Sequence, residues 1–228
     1  MRSSGTARSI LGVLMKITNV SVQAKNPDRV NVSVDGKYRL SLDIYQLADL
    51  GVRVGAEIDE QRLGQLESAS QFGKLYSRAL EYCLMRPHSA REVRDYLYRK
   101  TLPRRYKSRT GEIKQAEGVD KQLAEETFNR LVERGYVNDE SFARFWVENR
   151  NQTKGTSLRK LRAELRAKGV DGSIIENALE SGDRNDAAEL SKIIAKKRSR
   201  YPDQQKLMQY LARQGFGYDD IKQALAED

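Results

Sequence analysis

The chain has 228 residues, 39% hydrophobic and 32% charged, a balance that suits a soluble protein with a thin core and much solvated helix surface. A formal net charge of +9 and a pI near 9.6 point to an anionic partner, nucleic acid first among them. No apolar run approaches the ~20 residues of a membrane span, and Cys83, the only cysteine, excludes an intramolecular disulfide and fits a reducing, cytoplasmic setting.

Residues 1–14 read as a flexible leader. Their basic start precedes an apolar stretch too short for a signal peptide, and translation starts at either Met1 or Met15. Residues 15–62 read as a small β module. Val30, Val32 and Val34 alternate with Asn31 and Ser33, and after Asp35-Gly36 the alternation resumes at Tyr38, Leu40 and Leu42. Asp-Gly between two such runs signals a hairpin, because a type I′ turn needs positive φ. A strand around Ile17–Gln23 pairs beside it as a third, and a short helix, Ile44 to Leu50, follows and is closed by Gly51. The module's charge is nearly balanced, so it is not the basic face. A linker-like helix from Asp59 through Leu66 leads out of it.

From residue 70 a unit of three short helices recurs over 70–135, 136–182 and 183–228. In the first copy Leu75, Ala79, Leu80, Cys83 and Leu84 form a buried stripe, and Arg86-Pro87-His88 ends that helix. His88, the only histidine, reads as a turn residue, and Cys83 as a buried, inert thiol. Ser89 and Glu92 have capping-box spacing. Residues 101–118 interrupt the unit with Pro103, Arg104, Arg105, Lys107, Arg109 and Gly111 around Tyr106, and read as a mobile basic loop. Two roles are open for it: a solvated connector, or an arm that tracks a nucleic-acid strand with Tyr106 stacked on a base. The copy closes with a helix from Val119 to Arg134 carrying Thr127, Phe128, Leu131 and Val132.

The second copy is the clearest. A helix over Asp139–Asn149 carries Phe142, Ala143, Phe145 and Trp146. A second, from Ser157 to Lys168, has Leu158, Leu161 and Leu165 on one face, Ser157 as N-cap and Gly169 at the left-handed C′ position. Asp171 caps a third with Ile174, Ile175, Ala178 and Leu179. The third copy starts near Asp183, places Ala188, Leu190, Ile193 and Ile194 inward, and ends on an acidic helix, Asp219 to Glu227. Ser89, Ser157 and Asp203 are equivalent caps, Val93, Leu161 and Leu207 follow four residues on, and Leu97, Leu165 and Leu211 eight on. Gly169-Val170 matches Gly215-Phe216, and the last two copies are about 46 residues apart. A unit this small cannot bury its apolar stripe alone. The expected fold is therefore mainly α, with tandem three-helix repeats forming an elongated, curved array and a small N-terminal β-hairpin module.

Charge is segregated on this frame. Arg159, Arg162 and Arg166 fall at i, i+3 and i+7, a stripe about 60° wide, away from the leucines. The equivalent positions of the first copy are Arg91, Arg94 and Tyr98; those of the third, Gln205, Met208 and Ala212, are uncharged. Lys154, Lys160 and Lys168 lie near the stripe, Lys192, Lys196 and Lys197 in the third copy, and Arg104, Arg105 and Lys107 in the insertion. Such a surface suits phosphates, whose counterions it would displace, and equally an acidic protein. It lacks the Asn and Gln of direct base readout. No phosphate loop, dinucleotide fingerprint, nucleophile–histidine pair or metal-ligand cluster is present, so no catalytic residue, metal or cofactor is expected.

Three segments resemble the RecX family, regulators of the RecA recombinase. They are Arg86-Pro87-His88-Ser89-Ala90-Arg91-Glu92-Val93, Gly135-Tyr136-Val137-Asn138-Asp139-Glu140-Ser141-Phe142-Ala143, and Lys154-Gly155 through Leu165 to Lys168-Gly169-Val170. The resemblance covers roughly residues 70–228. It implies tandem three-helix repeats in a monomer whose partners are the RecA filament and single- and double-stranded DNA. The protein would lie along the filament groove, block extension or promote disassembly, and lower ATP hydrolysis and strand exchange during recombination and repair. Two rivals stand beside this reading: a nucleic-acid-binding repeat protein acting without RecA, and a scaffold for another acidic protein.

Overall fold

The computed structural model describes residues 14–227, so the leader reading lies outside the described residues except at Leu14. The chain forms two compact units. One runs to Arg78 and adds Val119–Thr127; the other comprises Ala79–Gly118 and Phe128–Asp228.

In the first unit β1 (Met15–Gln23), β2 (Asn26–Val34) and β3 (Lys37–Asp43) form an antiparallel meander. Asp35 and Gly36 turn the second hairpin at φ 49° and 77°, the conformation expected of Asp-Gly. The capped helix α1 (Ile44–Asp49) follows. The three-stranded expectation needs correction: β4 (Glu57–Ile58) pairs with β1, giving the order β3-β2-β1-β4. Two residues are too few to show an alternation in sequence.

The helix α2 runs unbroken from Glu60 to Met85, so the expected linker helix and first repeat helix are one element. Nothing in Ser68-Ala69-Ser70 breaks a helix, and these residues are used to fasten it. The buried Ser70 hydroxyl donates to Ser41 O at 2.7 Å, and Gln46 Nε2 donates to Ala69 O at 2.7 Å. Leu63 and Leu66 thereby join Ile17, Val30, Val32, Val34, Leu40 and Leu42 in one core.

The second unit holds the second and third helical repeats and most of the first, whose residues 70–78 and 119–127 belong to the first unit. After the end of α2 come α3 (Ala90–Thr101), β5 (Arg104–Lys107), β6 (Ile113–Ala116) and α4 (Lys121–Glu133), which enters this unit at Phe128. The second repeat is α5 (Asp139–Asn149), α6 (Leu158–Ala167) and α7 (Gly172–Glu180). The third is α8 (Asp186–Lys197), α9 (Gln204–Arg213) and α10 (Tyr218–Ala226), with a short 3₁₀ turn at Arg198–Arg200. Phe142, Ala143, Val147, Leu161, Leu165, Val170, Ile175, Ala178 and Leu179 make the second core. Leu190, Ile193, Ile194, Leu207, Leu211, Phe216, Ile221 and Leu225 make the third. His88 lies in the connection between α2 and α3, as read, and is buried there: its ring lies 3.8 Å from that of Tyr82, which stacks on Tyr96 at 4.4 Å. Cys83 is buried, and burial pushes its thiol up to about 11, as an inert thiol requires.

Adjacent repeats meet through one recurring joint. Ser89 caps α3 by accepting from Glu92 N, and its hydroxyl donates to Lys168 O, the C-cap of α6, at 2.9 Å. Ser157 caps α6 by accepting from Lys160 N, and donates to Gln214 O, the C-cap of α9, at 2.7 Å. The next amide in each case, Ala90 N or Leu158 N, donates to Asp139 or Asp186 at the head of the following repeat, both at 2.8 Å. Gly215 follows the accepting carbonyl because a Cβ there would stand 2.7 Å from Ser157 Oγ, and its φ is 96°. Asp203 occupies the matching position of α9 and accepts from Gln205 N and Lys206 N.

Replacing Ser157 by Ala removes a cap and an inter-repeat donor together. Unfolding in urea should show a loss of about 1–3 kcal/mol. An unchanged midpoint would mean that the hydroxyl does not join the repeats.

Candidate functional site

The cations expected to form a surface divide into engaged and free ones. On α6, Arg159 and Arg166 are exposed and their side chains have no hydrogen-bond or ion-pair partner among the described residues. Arg162 lies between them in sequence but is spoken for: Nε and Nη2 donate to the two carboxylate oxygens of Glu176 on α7, each at 2.7 Å. A bidentate pair of this kind cancels the charge locally and fixes the guanidinium plane. The stripe therefore presents two unpaired guanidiniums rather than three.

On α3, Arg91 is exposed and touches Ala167 O only at 3.4 Å. The Arg94 guanidinium lies 3.7 Å above the Phe128 ring, a cation–π contact that anchors it over α4. Tyr98, one turn further on, is 58% exposed. The α9 positions Gln205, Met208 and Ala212 carry no charge, as read from sequence.

The secondary lysines are largely joint residues. Lys168 pairs with Glu92 at 2.6 Å and Lys192 with Glu189 at 2.7 Å. Lys160 donates to Gln214 Oε1 at 3.1 Å, Lys196 to Thr153 O, and Lys197 lies 5.9 Å from the Tyr210 ring centroid. Lys154 is exposed without a side-chain partner among the described residues. Arg104, Arg105 and Lys107 are exposed on β5, away from any acidic partner among the described residues.

Two carboxylates each gather two of the engaged cations, and sequence reasoning missed that role. Glu92 accepts from Arg86 at 3.1 and 3.2 Å as well as from Lys168. Glu189 is 1% exposed and accepts from Arg184, from Lys192 and from Thr156 N at 2.8 Å. Arg184 also donates to Val147 O and Arg150 O, so the cluster clamps the third repeat to the end of α5. Burial pushes both carboxyls up, yet the hydrogen bonds from their basic partners outweigh it and hold each below its ordinary value. The available signal was spacing: Glu92 and Lys160 share the position three residues past a cap, and Lys168 and Gln214 share the helix-ending one.

Among the described residues no group of three or more His, Cys, Asp or Glu side chains could hold a metal ion, and no helix is long and apolar enough to cross a membrane. Three-helix units joined in series define a helical-repeat protein. Comparison with known proteins makes this specific. Residues 15–59 match the regulatory protein RecX N-terminal domain, 138–179 the RecX second three-helix domain, and 187–225 the RecX third three-helix domain. The regulatory protein RecX of Bacillus licheniformis is 31% identical over 92% of this chain and 76% of its own length. That of Bacillus subtilis is 30% identical over 92% and 75%. A crystal structure of a regulatory protein RecX superposes with a TM-score of 0.68 at 23% identity, covering 93% of this chain and 99% of the other. That of RecX from Lactobacillus salivarius gives 0.53 at 24%, over 70% and 97%. The chain belongs to the RecX family of regulatory proteins.

The buried ionisable groups set the acid side of its stability. Burial, aided by Arg86, holds His88 below its ordinary 6.5, so the unfolded chain takes up a proton first and stability should begin to fall below about pH 6.5. Glu92 and Glu189 sit below 4.5, so their contribution is complete above that value and is lost as pH falls through their lower folded values. Urea midpoints measured from pH 8 to 3 should therefore drop in two stages, and His88→Phe should lack the upper one. A flat profile down to pH 4.5 would contradict the burial of the imidazole.

Proposed function

We propose that the protein regulates a RecA-type recombinase by binding the recombinase–DNA filament, and lowers its ATP hydrolysis and strand exchange. The observation that carries the reading is the pair of unpartnered guanidiniums, Arg159 and Arg166, with Arg91 and Tyr98 at the matching helix of the preceding repeat. A charge held out of every internal ion pair is available to phosphate or carboxylate, and a filament offers both. The free residues sit on consecutive repeats joined by the same contacts, so they meet a partner that is itself extended. The family's regulatory role and the absence of a reaction centre in the sequence support binding without turnover by the protein itself.

A plain nucleic-acid-binding role is the second reading, favoured by the unpaired cations of β5. The two separate in one assay. The cognate recombinase is assembled on single-stranded DNA and its ATP hydrolysis followed while this protein is titrated. Inhibition is expected well below the concentration that coats the DNA, and should weaken at least tenfold in Arg159→Glu/Arg166→Glu. Charge reversal at two exposed sites leaves the core untouched, and circular dichroism checks that. Arg162→Gln should leave inhibition near the parent value, because its guanidinium is already held by the partly exposed Glu176. Inhibition that appears only once the DNA is saturated would overturn the filament reading.

A further inference from the structure

The insertion within the first repeat is a built element rather than the mobile loop expected from its composition. β5 and β6 pair in register, Arg104 with Ala116, Arg105 with Gln115, Tyr106 with Lys114 and Lys107 with Ile113. Its tip is closed by Ser108 N to Glu112 O at 2.8 Å and Gly111 N to Ser108 O at 3.0 Å, with Gly111 at φ 90°. Its base is fixed as well. A Cβ on Gly118 would lie 1.9 Å from Thr101 O, so the chain leaving the hairpin passes directly against the end of α3.

This hairpin buries almost nothing. Every residue of β5 and β6 is exposed except the half-buried Ala116, and Ile113 is 78% exposed. A two-stranded ribbon without a covered face is marginal by itself, so packing does not account for its side chains. Directly paired residues share a face, and alternate residues of a strand do too. One face therefore presents Arg104, Tyr106 and Lys114 together, with Tyr106 45% exposed. The other presents Arg105 and Lys107 beside Ile113 and Gln115. Arg104, Arg105, Lys107 and Arg109 make no side-chain hydrogen bond or ion pair among the described residues. Lys114 has only an exposed contact with Glu112 at 3.6 Å, a pairing worth little in water.

We propose that this hairpin is a second nucleic-acid site, an arm that holds single-stranded DNA with one base stacked on Tyr106 and its phosphates on the flanking cations. The proposal rests on the reading that the protein works on DNA, but assigns a site distinct from the α3 and α6 arginines. A tyrosine ring with cations beside and across from it is the arrangement that binds strands without regard to sequence: the ring takes the π-face of any base, and the cations take the backbone. A duplex keeps its base faces stacked inside, so Tyr106 selects single strands. Same-face residues of a strand are about 6.8 Å apart, which puts Arg104 within side-chain reach of a phosphate next to the stacked base.

The test uses the full chain and a labelled oligothymidylate, with a duplex of equal length as comparison, read by fluorescence anisotropy across a salt series. Tyr106→Leu should weaken single-strand binding about tenfold or more, and leave duplex binding within twofold. Arg104→Gln/Lys114→Gln, the two cations on the Tyr106 face, should reduce the salt slope of single-strand binding by about 1.4. A bromouracil-substituted oligonucleotide should crosslink to Tyr106, a readout that a purely structural role would not give. Parent-like affinity and slope in both variants, equal losses on duplex, or crosslinks confined to other segments would overturn the arm. The filament assay keeps the two claims apart: inhibition retained by Tyr106→Leu and lost in Arg159→Glu/Arg166→Glu would leave the filament reading standing even if the arm fails.

Discussion

The helical repeats depend on a hydroxyl used twice. A serine at a helix N-cap accepts a backbone N–H with its oxygen, which leaves its hydrogen without work. In water that hydrogen finds solvent. At Ser89 and Ser157, both fully buried, it is given to the last carbonyl of a helix in the next repeat. The start of one helix and the end of another thus satisfy each other's orphan groups. The glycine after each accepting carbonyl, the aspartate taking the next amide and the side chains three residues past each cap follow from that placement. Burying the groups without these bonds would cost about 1–3 kcal/mol apiece.

Electrostatics on the same frame is a matter of which cations are already taken. Glu176 holds Arg162, Glu92 holds Arg86 and Lys168, and Glu189 holds Arg184 and Lys192. Breaking a buried pair by removing one partner is far more costly than losing a surface pair. Among these acceptors Glu189 is the deeply buried one, so its pairs carry the most stability, and the cations left over face outward. A net charge of +9 describes the molecule poorly until this subtraction is made.

Local chemistry was legible in the sequence, and long-range chemistry was not. Alternation at Val30–Leu42, the Asp-Gly turn, the caps at Ser89, Ser157 and Asp203, and the leucine spacings all act within a few residues, and each appears where read. The family resemblance read from the helical repeats agrees with the matched domains. The second bond of Ser89 reaches across 79 residues, and no local pattern announces it. The arginine stripe was visible as a periodicity, but Glu176 sits on a different helix and removes Arg162 from it. In the insertion, charge hid the strands: Arg104 to Lys107 reads as a solvated run until Ile113 to Ala116 is seen to pair with it. Likewise α2 read as two helices because one stretch faces a β module and the next a repeat.

Asp203 keeps one of the two functions of the recurring cap and lacks the other. Capping needs only an oxygen acceptor, so aspartate serves α9 as well as serine serves α3 and α6. Coupling to another unit needs a donor, and an ionised carboxylate has none. A fourth three-helix unit approaching in the established manner would set its helix-ending carbonyl against a negative charge. Ser89 and Ser157 therefore both cap and couple, whereas Asp203 only caps. One side-chain choice keeps the helix and gives up the link, as a monomer without the group for the next bond stays unjoined on that side.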